Sequence, residues 1–290
     1  AAFRNEPAKR TKTSMKKKCS SIRDSKTSLK RAEKVGSMGS PAHPANISKS
    51  QKNMGGKDEF EFAKKLQQEA DKQARKLRNA GISGAKCWYC DAKLIENGAT
   101  RAFVGINPAG GKSSEQIDIE RGSLEAPYSV RGYNSWLDED GWEGKGRQHQ
   151  ARVKQMFESM YGRAWAEKLR ETACLNVVPL RTGNASEIPA TVWDFSYQWF
   201  GHVIEHVRPK LILCNGNGEI KSPWAVLCSL YRVNDVKKIP VGAPGSTASI
   251  KETVIESEVL MGTRIIGMPL LNRFGWPETF SALATLGPFF

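Results

Sequence analysis

Residues 103–114 read FVGINPAGGKSS, an apolar run followed by a turn rich in Gly, Asn and Pro that leads to Lys112. A glycine-rich loop ending in Gly-Lys-Ser can cradle a phosphate with successive backbone N–H groups. The phosphate-loop pattern fails here in two ways: Gly105 stands one residue too far from the Gly-Lys pair, and Pro108 has no N–H to donate. A prediction of nucleotide hydrolysis would therefore depend on this imperfect loop alone. The other readings are a plain strand-to-helix turn, or a loop that holds the side-chain amide of Asn107 beside a reactive group.

Basic residues are concentrated at the N-terminal end. Residues 1–57 hold 15 Lys/Arg against 3 Asp/Glu, whereas the remainder holds 29 against 27. This segment is rich in Ser, Thr and Lys and nearly free of aromatic residues, a composition that cannot bury enough apolar surface to fold alone. We expect a disordered basic tail over 1–57 and one α/β domain over 58–290. The tail either raises affinity for a polyanion such as DNA through counterion release or is a solubilising or upstream-translated leader.

Cysteine usage favours a reduced protein without a metal. Cys174 and Cys214 fall in apolar runs, as reduced core cysteines do. The segment CWYC at 87–90 has the spacing of a metal-ligand pair, and His202 and His206, one helical turn apart, are the residues that could complete such a site. Nothing in the sequence brings the two pairs together, so a folded turn with two thiols is the favoured reading. We predict no metal and no cofactor.

The chain shows no apolar signal region and no run of about 18 apolar residues, so neither a secretory signal nor a membrane span is expected. These features favour a cytoplasmic monomer, associated with the nucleoid if the source is bacterial, with no membrane partner.

Apolar runs alternate with helical periodicity, which predicts a largely parallel sheet of about four strands covered on both faces, a three-layer α/β/α arrangement. The predicted strands are 102–106, 174–178, 210–214 and 264–267, with weaker candidates near 237–241 and 252–261. The predicted helices run from Asp58 to about 79, over 148–172 with an interruption near Gly162, over 190–207 and 223–231, and over a short segment closing the chain. A long polar stretch to about Gly146 is read as a functional or disordered loop.

Three of the predicted strands run into polar or glycine-rich segments. GINPAGG follows the first strand, Asn176 and PLRTGN end and follow the second, and MPLLNRF follows the last. Ligands of parallel sheets gather at the carboxyl ends of the strands, so these segments are expected to converge.

At these residues the chain resembles the uracil-DNA glycosylase superfamily. GINPAGG is similar to the first motif of the branch that carries Gly-Ile-Asn-Pro-Gly, and LNVVPLRTGN resembles the strand that carries a base-reading Asn. IEHVRPKLILCNG looks like the adjoining helix and strand, and APYSV at 126–130 is similar to the place of a stacking aromatic ring. The similarity covers about residues 87–280 in the family's order.

The resemblance implies hydrolysis of a base–sugar bond after the nucleotide has been flipped out of the DNA. Asn107 would orient the attacking water through its side-chain carbonyl, Asn176 would read the base edge, and Tyr128 would stack on the ring. The remaining base contacts would come from Ile106, Ala109 and Gly110. An amide cannot take up a proton as a carboxylate can, so general-base help would be weak. Read without the resemblance, Asn107 is a turn residue, Asn176 a strand-end cap and Tyr128 a loop aromatic.

Two departures from the family pattern bear on the substrate. Strict uracil enzymes place a tyrosine after the motif's Pro, whereas Ala109 stands here, which leaves the C5 side of the ring open. The second motif lacks the polar residue that stabilises the departing base, since it begins at Met268. The open pocket fits uracil, mismatched thymine, or a cytosine with a large C5 substituent such as glucosylated hydroxymethylcytosine of phage DNA, and the last substrate would make the enzyme an antiphage defence.

Further residues are expected to contact DNA, either a duplex with a flipped base or a single strand. Leu270 and Leu271 would belong to a loop that wedges into the minor groove, with the alternative that this leucine pair is core, above all at Leu270. The predicted DNA contacts are Lys112, Arg181, Leu271, Asn272, Arg273 and Phe274. The 87–90 cysteines match half of an iron–sulfur ligand set in one branch, but the later positions are not cysteines, so no cluster is predicted. A second hypothesis is a glycosylase-like module that binds modified or single-stranded DNA without cleaving it.

Overall fold

In a computed structural model of the chain, the described residues are 60–108, 133–138, 144–182, 188–242, 245–271, 277–287 and 289. They belong to one unit, Gly55–Phe290. The predicted tail over 1–57 lies outside the described residues.

One sheet organises the described part of the chain. Its six strands are β1 (Arg101–Gly105), β2 (Thr172–Asn176), β3 (Leu211–Asn215), β4 (Lys237–Pro240), β5 (Ser249–Val254) and β6 (Arg264–Met268). They lie in the order β2-β1-β3-β6-β5-β4. The first four in this order are parallel, whereas β5 runs antiparallel to β6 and β4 antiparallel to β5. The protein is therefore an α/β protein with an open, mostly parallel sheet.

The expected count of about four strands was too low for a physical reason. The four parallel strands are nearly continuous apolar runs, as strands buried on both faces are. The two extra strands carry Lys and Glu, and β4, with the sequence KKIP, is mostly exposed. Lysine and proline suit an outer strand, because they discourage pairing with another chain. The weak candidate near 252–261 corresponds to β5 at 249–254, and residues 258–260 form a 3-10 turn instead.

The helices pack in two groups. Their bounds are α1 (Glu61–Lys76), α2 (Lys93–Glu96), α3 (Ser135–Asp138), α4 (Gly144–Tyr161), α5 (Trp165–Arg170), α6 (Ala190–Val207), α7 (Pro223–Leu230) and α8 (Pro277–Ala284). In one group α1 packs on α2, α2 on α6 and α6 on α7, and in the other α4 contacts α3, α5 and α8.

The longer helices follow their sequence signals closely. α6 has the expected bounds, and the helix expected over 148–172 is divided into α4 and α5 by a 3-10 turn at 162–164, where Gly162 has φ +56°. The apolar stripe of α1 is buried as expected, but the predicted cap Asp58 lies outside the described residues. The Glu96 carboxylate accepts from the Phe62 and Ala63 N–H groups at the start of α1, at 3.3 and 3.0 Å.

Two elements lie where the sequence predicted loops. Helix α3 falls inside the long polar stretch, and its Trp136 is buried with its ring edge-on to Phe103, 6.3 Å away. The segment around CWYC runs antiparallel beside β2, with Trp88 bridging Leu175. Neither segment is long enough to show helical or strand periodicity, which is why pattern reasoning missed both.

Cys174 and Cys214 are buried, free thiols on β2 and β3, which confirms their reading as reduced core cysteines. None of the described helices is both long and apolar enough to cross a membrane.

Helix α7 packs so tightly on β6 that a side chain at Gly267 has no room. A Cβ there would stand 2.5 Å from Trp224 Cε3 and 2.9 Å from Asn217 Cβ. The Asn217 amide in turn donates to the Ser249 and Gly267 carbonyls, at 2.5 and 3.1 Å. Because Gly267 has no side chain, the Asn217 amide can come close enough to bridge β5 and β6.

We expect Gly267→Ala to lower the free energy of unfolding by about 1–3 kcal/mol, because the added methyl overpacks a buried site. Urea denaturation monitored by circular dichroism measures this. Gly201→Ala in α6 is the matched control, since nothing lies within 4 Å of a Cβ there, and alanine in a helix is favoured over glycine by up to about 1 kcal/mol. Equal unfolding midpoints for Gly267→Ala and the unmodified chain would contradict the packing argument.

Candidate active site at the carboxyl edge of the sheet

The four parallel strands end at the same level. Gly105 of β1 pairs with Asn176 of β2, and Asn215 of β3 pairs with Met268 of β6. Val104 pairs with Cys214, which brings Gly105 level with Asn215. Residues level with each other in a parallel sheet share a face, so the two asparagines stand on either side of Gly105, about 10 Å apart at two strand spacings. The missing side chain at Gly105 leaves a notch between them, which we call the Gly105 notch.

Asn176 directs its carbonyl oxygen into this notch. Its Oδ1 lies 3.0 Å from the position that a Cβ on Gly105 would occupy. Its Nδ2 donates to the Lys86 carbonyl at 3.3 Å, in the segment beside β2. The Asn176 side chain is buried, at 2% exposed, so the notch offers a hydrogen-bond acceptor in a largely dry place.

Asn107 lies just past the end of β1 on the same edge. The β1–β2 ladder continues beyond the strands, with the Val178 N–H donating to the Ile106 carbonyl at 2.8 Å. Asn107 Nδ2 donates to Thr182 Oγ1 at 2.8 Å, and in this orientation the carbonyl oxygen is the other amide atom. Among the described residues none donates to Asn107 Oδ1, and the side chain is partly exposed. The Asn107 carbonyl oxygen is therefore available to a water molecule.

The far side of the notch holds a polar network that joins α4, β3 and the segment after β6. Asn215 Oδ1 accepts from the Leu271 N–H at 3.0 Å, and Asn215 Nδ2 lies 3.4 Å from His149 Nε2. The Arg152 guanidinium donates to the Leu271 carbonyl. Both backbone groups of Leu271 are thereby held by side chains.

His149 is kept uncharged by its surroundings. Burial and, to a smaller extent, the positive charge of Arg152 lower its pKa to about 4. Its ring packs edge-on against Trp136, with 5.2 Å between the ring centres. Its Nδ1 is enclosed, and no described residue forms a hydrogen bond with it.

Several predicted site residues fall outside the described residues: Ala109, Gly110, Lys112, Tyr128, Asn272, Arg273 and Phe274. Of the predicted contacts that are described, Asn107, Ile106 and Asn176 come together at one edge of the sheet.

Two expected DNA contacts lie in the interior instead. Leu271 is fully buried, whereas Leu270 is only partly buried, the reverse of the expectation for the leucine pair. The backbone N–H and carbonyl of the buried Leu271 are held by Asn215 and Arg152. Arg181 is 3% exposed and its N–H donates to the Gly84 carbonyl at 2.8 Å. In this conformation neither side chain lies at the surface where a wedge or a phosphate contact is needed.

Metal binding finds no support among the described residues, where no group of three or more His, Cys, Asp or Glu could hold an ion. Cys87 and Cys90 are buried, and burial raises the pKa of Cys90 to about 12, so Cys90 is a protonated thiol in this structure. His206 is engaged elsewhere, since its Nε2 lies 2.8 Å from the Glu96 carbonyl and its ring stacks on Phe62.

Sequence reasoning missed Asn215 and His149. The strand LILCN ends in a polar residue just as TACLN does, so aligning the ends of the predicted strands would have pointed to Asn215. His149 carried no such signal, because the side of α4 that faces the sheet depends on packing. No protein-family model matches the chain, and no curated protein matches it significantly.

Stability should fall with acidification because of His149. The folded-state pKa of about 4 lies below the ordinary value of 6.5, so the unfolded chain binds the proton more readily. Stability is then fully present above about pH 6.5 and decreases as the pH falls toward 4, by up to about 3 kcal/mol. Urea unfolding of the unmodified chain and of His149→Gln between pH 7 and 4.5 measures this. The variant should lose less stability over that window, and the exposed His202→Gln should behave like the unmodified chain. Parallel curves for all three proteins would rule out the assignment.

Proposed function

We propose that the chain is a DNA glycosylase that hydrolyses the N-glycosidic bond of a flipped-out, non-standard pyrimidine and leaves an abasic site. The observation that carries the proposal is the meeting of Asn107 and Asn176 at the ends of neighbouring strands, beside a notch left by Gly105. The two asparagines are far apart in the sequence, and each is the residue that the glycosylase resemblance assigns to the reaction.

The fold that we propose is a three-layer α/β/α arrangement of the uracil-DNA glycosylase kind. The connection from β1 to β2 moves one way across the sheet, and the connection from β2 to β3 returns past β1. Because crossovers between parallel strands are right-handed, helices of these two connections cover opposite faces. The strand order reverses between β1 and β3, and ligands of open α/β sheets bind at such a point.

In the proposed reaction, Asn107 Oδ1 accepts a hydrogen bond from water and places it near C1′ of the sugar. The C1′–N1 bond breaks with its electron pair going to the base, and the water oxygen bonds to C1′ and releases a proton to solvent. The hydrogen bond from Asn107 Nδ2 to Thr182 keeps the carbonyl oxygen as the free acceptor. Because an amide takes up no proton, the barrier is lowered by positioning rather than by general-base catalysis.

Asn176 supplies recognition of the base in this proposal. Its Oδ1 faces the Gly105 notch, so it pairs with a ring donor: N3–H of a uracil-type base or the amino group of a cytosine-type base. The family tyrosine that blocks C5 is replaced in the sequence by Ala109. We therefore include bulky C5-modified cytosine, such as the glucosylated hydroxymethylcytosine of phage DNA, among the substrates, and with it a role in antiphage defence.

DNA is the proposed partner, and the basic N-terminal segment supports it. This segment holds 15 Lys/Arg and 3 Asp/Glu. On binding, its positive charge would release counterions from the phosphate backbone and hold the chain near DNA without recognising a base sequence.

A non-catalytic DNA-binding module is the second candidate, favoured by Met268. This residue is fully buried and apolar at the position where the family pattern has a polar donor for the departing base.

Oligonucleotides carrying uracil, mismatched thymine or glucosylated hydroxymethylcytosine test the proposal. We expect alkali-sensitive strand breaks at one of these bases, and a loss of at least about 100-fold in single-turnover rate for Asn107→Ala. The control is Asn234→Ala, an exposed asparagine whose N–H donates to the Val254 carbonyl beside the start of β6, away from the site. Tight binding without breaks would favour the binding module, and ATP turnover would favour a nucleotide hydrolase.

Gly105→Ala tests the notch separately. The added Cβ would stand 3.0 Å from Asn176 Oδ1, so the amide must shift. We expect the free energy of unfolding to change by less than about 1 kcal/mol, because the nearest atom is the end of a side chain that has to move by only a few tenths of an ångström. The cleavage rate should fall at least about tenfold, since a misplaced polar contact to a base is worth more than about 1.4 kcal/mol. Unchanged cleavage by a folded Gly105→Ala protein would place the base elsewhere.

A further inference from the structure

Helix α1 ends in a group of positive charges. Residues 72–81 hold four basic residues and no acidic one. Arg75, Lys76 and Arg78, in the last turn of α1 and just after it, are exposed. None of the three belongs to an ion pair among the described residues. They precede residue 87, where the resemblance to the glycosylases begins, so the resemblance assigns them no role.

The path of α1 brings these charges to the edge of the sheet that holds the candidate site. Its first turn is bound by the Glu96 carboxylate, shortly before β1 begins, so α1 starts at the amino edge. After its end, the Ser83 N–H donates to the Arg181 carbonyl at 3.3 Å. The next residue, Thr182, accepts from the Asn107 amide. The end of α1 therefore lies on the same edge as Asn107.

A fourth exposed cation, Lys221, stands at this edge in a position that its local structure does not favour. Its φ of +50° is in the left-handed region, which is strained for a residue with a side chain. It also precedes Ser222, the cap of α7, and a helix N-terminus repels a cation. The loop is held by the bond of 2.6 Å from Ser222 Oγ to the Gly218 carbonyl and by the ion pair of Glu219 with Lys251. A strained, electrostatically disfavoured cation in a held loop points to an anionic ligand.

Helix α6 contacts both groups of cations. Trp199 Nε1 of α6 donates to the Leu66 carbonyl of α1 at 3.2 Å, and Lys221 Nζ lies 5.9 Å from the centre of the Trp193 ring. α6 follows β2 and so begins at the carboxyl edge, where its cap residue Pro189 offers no side-chain acceptor. The positive end of its dipole therefore lies at the same edge. The name basic rim is used below for the start of α6 together with four cations, Arg75, Lys76, Arg78 and Lys221.

We propose that the basic rim binds the phosphate backbone of DNA and holds the DNA on the side of the Gly105 notch where α1, α6 and α7 pack. This inference rests on the proposed function, and it names the surface that contacts the partner. The cations are spread over the ends of helices rather than gathered around one point, which suits the repeated charges of a strand. Phosphate contacts position a protein without reading bases. The rim thus provides the backbone contact that the buried Arg181 does not make.

The salt dependence of DNA binding tests the rim in the full chain. The rim variant carries four substitutions: Arg75→Gln, Lys76→Gln, Arg78→Gln and Lys221→Asn. The control variant removes four exposed cations at the amino edge of the sheet: Lys65→Gln, Arg163→Gln, Arg208→Asn and Lys210→Gln. The two variants have the same net charge and the same basic N-terminal segment. Fluorescence anisotropy with a short duplex of unmodified bases gives the slope of log affinity against log salt concentration.

We expect the slope of the rim variant to be smaller by about 0.9 for each cation that contacts a phosphate, or about 3 to 4 in all. The control variant should keep the slope of the unmodified chain, because its cations lie at the opposite edge. Equal slopes for the rim and control variants would overturn the inference, since overall charge would then account for the binding.

A matched pair of single substitutions separates binding from folding. Lys221 and Arg208 both have positive φ, +50° and +49°, and asparagine tolerates this conformation. Arg208 ends α6, where a cation suits the helix dipole. We expect Lys221→Asn to unfold at the same or a higher urea concentration than the unmodified chain, yet to bind the duplex with a slope about 0.9 smaller. Arg208→Asn should keep the slope. An unchanged slope for Lys221→Asn would contradict its phosphate contact.

The failure of this inference and the failure of the proposed function give different results. With an oligonucleotide that the unmodified chain cleaves, the rim variant should need more protein for its half-maximal single-turnover rate and keep the maximal rate, because the rim touches no reacting atom. Cleavage together with equal salt slopes would remove the rim and leave the glycosylase. A rim-dependent slope without cleavage of any tested base would support the rim and remove the enzymatic proposal.

Discussion

The alignment of the four parallel strands is the constraint on which the site depends. Hydrogen bonding between β2, β1, β3 and β6 fixes their registers, and these registers bring Asn176, Gly105, Asn215 and Met268 to one level. A shift of β2 by one residue would turn Asn176 to the other face of the sheet. The same shift would take Cys174 away from Asn134, the residue before α3, which donates to the Cys174 sulfur at 3.8 Å. The same hydrogen bonds between the strands thus determine both the packing of the core and the geometry of the site.

The polar groups of the site are held from outside the sheet. Asn176 is tied to the segment beside β2, Asn107 to Thr182, and Asn215 to Leu271. Asn107 and Asn176 each have their Nδ2 used by structure, whereas both amide atoms of Asn215 have partners, Leu271 and His149. Fixed amides lose little freedom when a ligand arrives, which is how a site without charged groups attains precise placement.

Much of this arrangement follows from the sequence alone, because buried parallel strands and long helices have strong periodic signals. The strand before Asn107 was predictable from an apolar run that stops at polar residues. The second strand was predicted over 174–178 but lies at 172–176, because Val177 and Val178 continue the apolar run beyond Asn176. The two outer strands were harder to predict, because their lysines and glutamates mask the pattern of alternation in β4 and β5. His149 and the inward turn of Leu271 depend on contacts between elements far apart in the chain, which no local pattern records.

Among the described residues that border the notch, the polar side chains are amides and one histidine, and this suits the DNA ligand that we propose. Asn107, Asn176 and Asn215 are amides, and the one titratable neighbour, His149, is uncharged because burial lowers its pKa to about 4. A carboxylate at this edge would repel the phosphates that flank a flipped nucleotide, and removing it from water would cost several kcal/mol on the order expected for a buried ion. Long-range attraction can come instead from the basic N-terminal segment, whose charge acts over a Debye length and needs no fixed geometry. In the proposed function, the basic segment provides the attraction to DNA and the notch provides the discrimination between bases. The notch then distinguishes bases by the directions of its hydrogen bonds. Those directions are set by the strand register and by the hydrogen bonds that hold the asparagines.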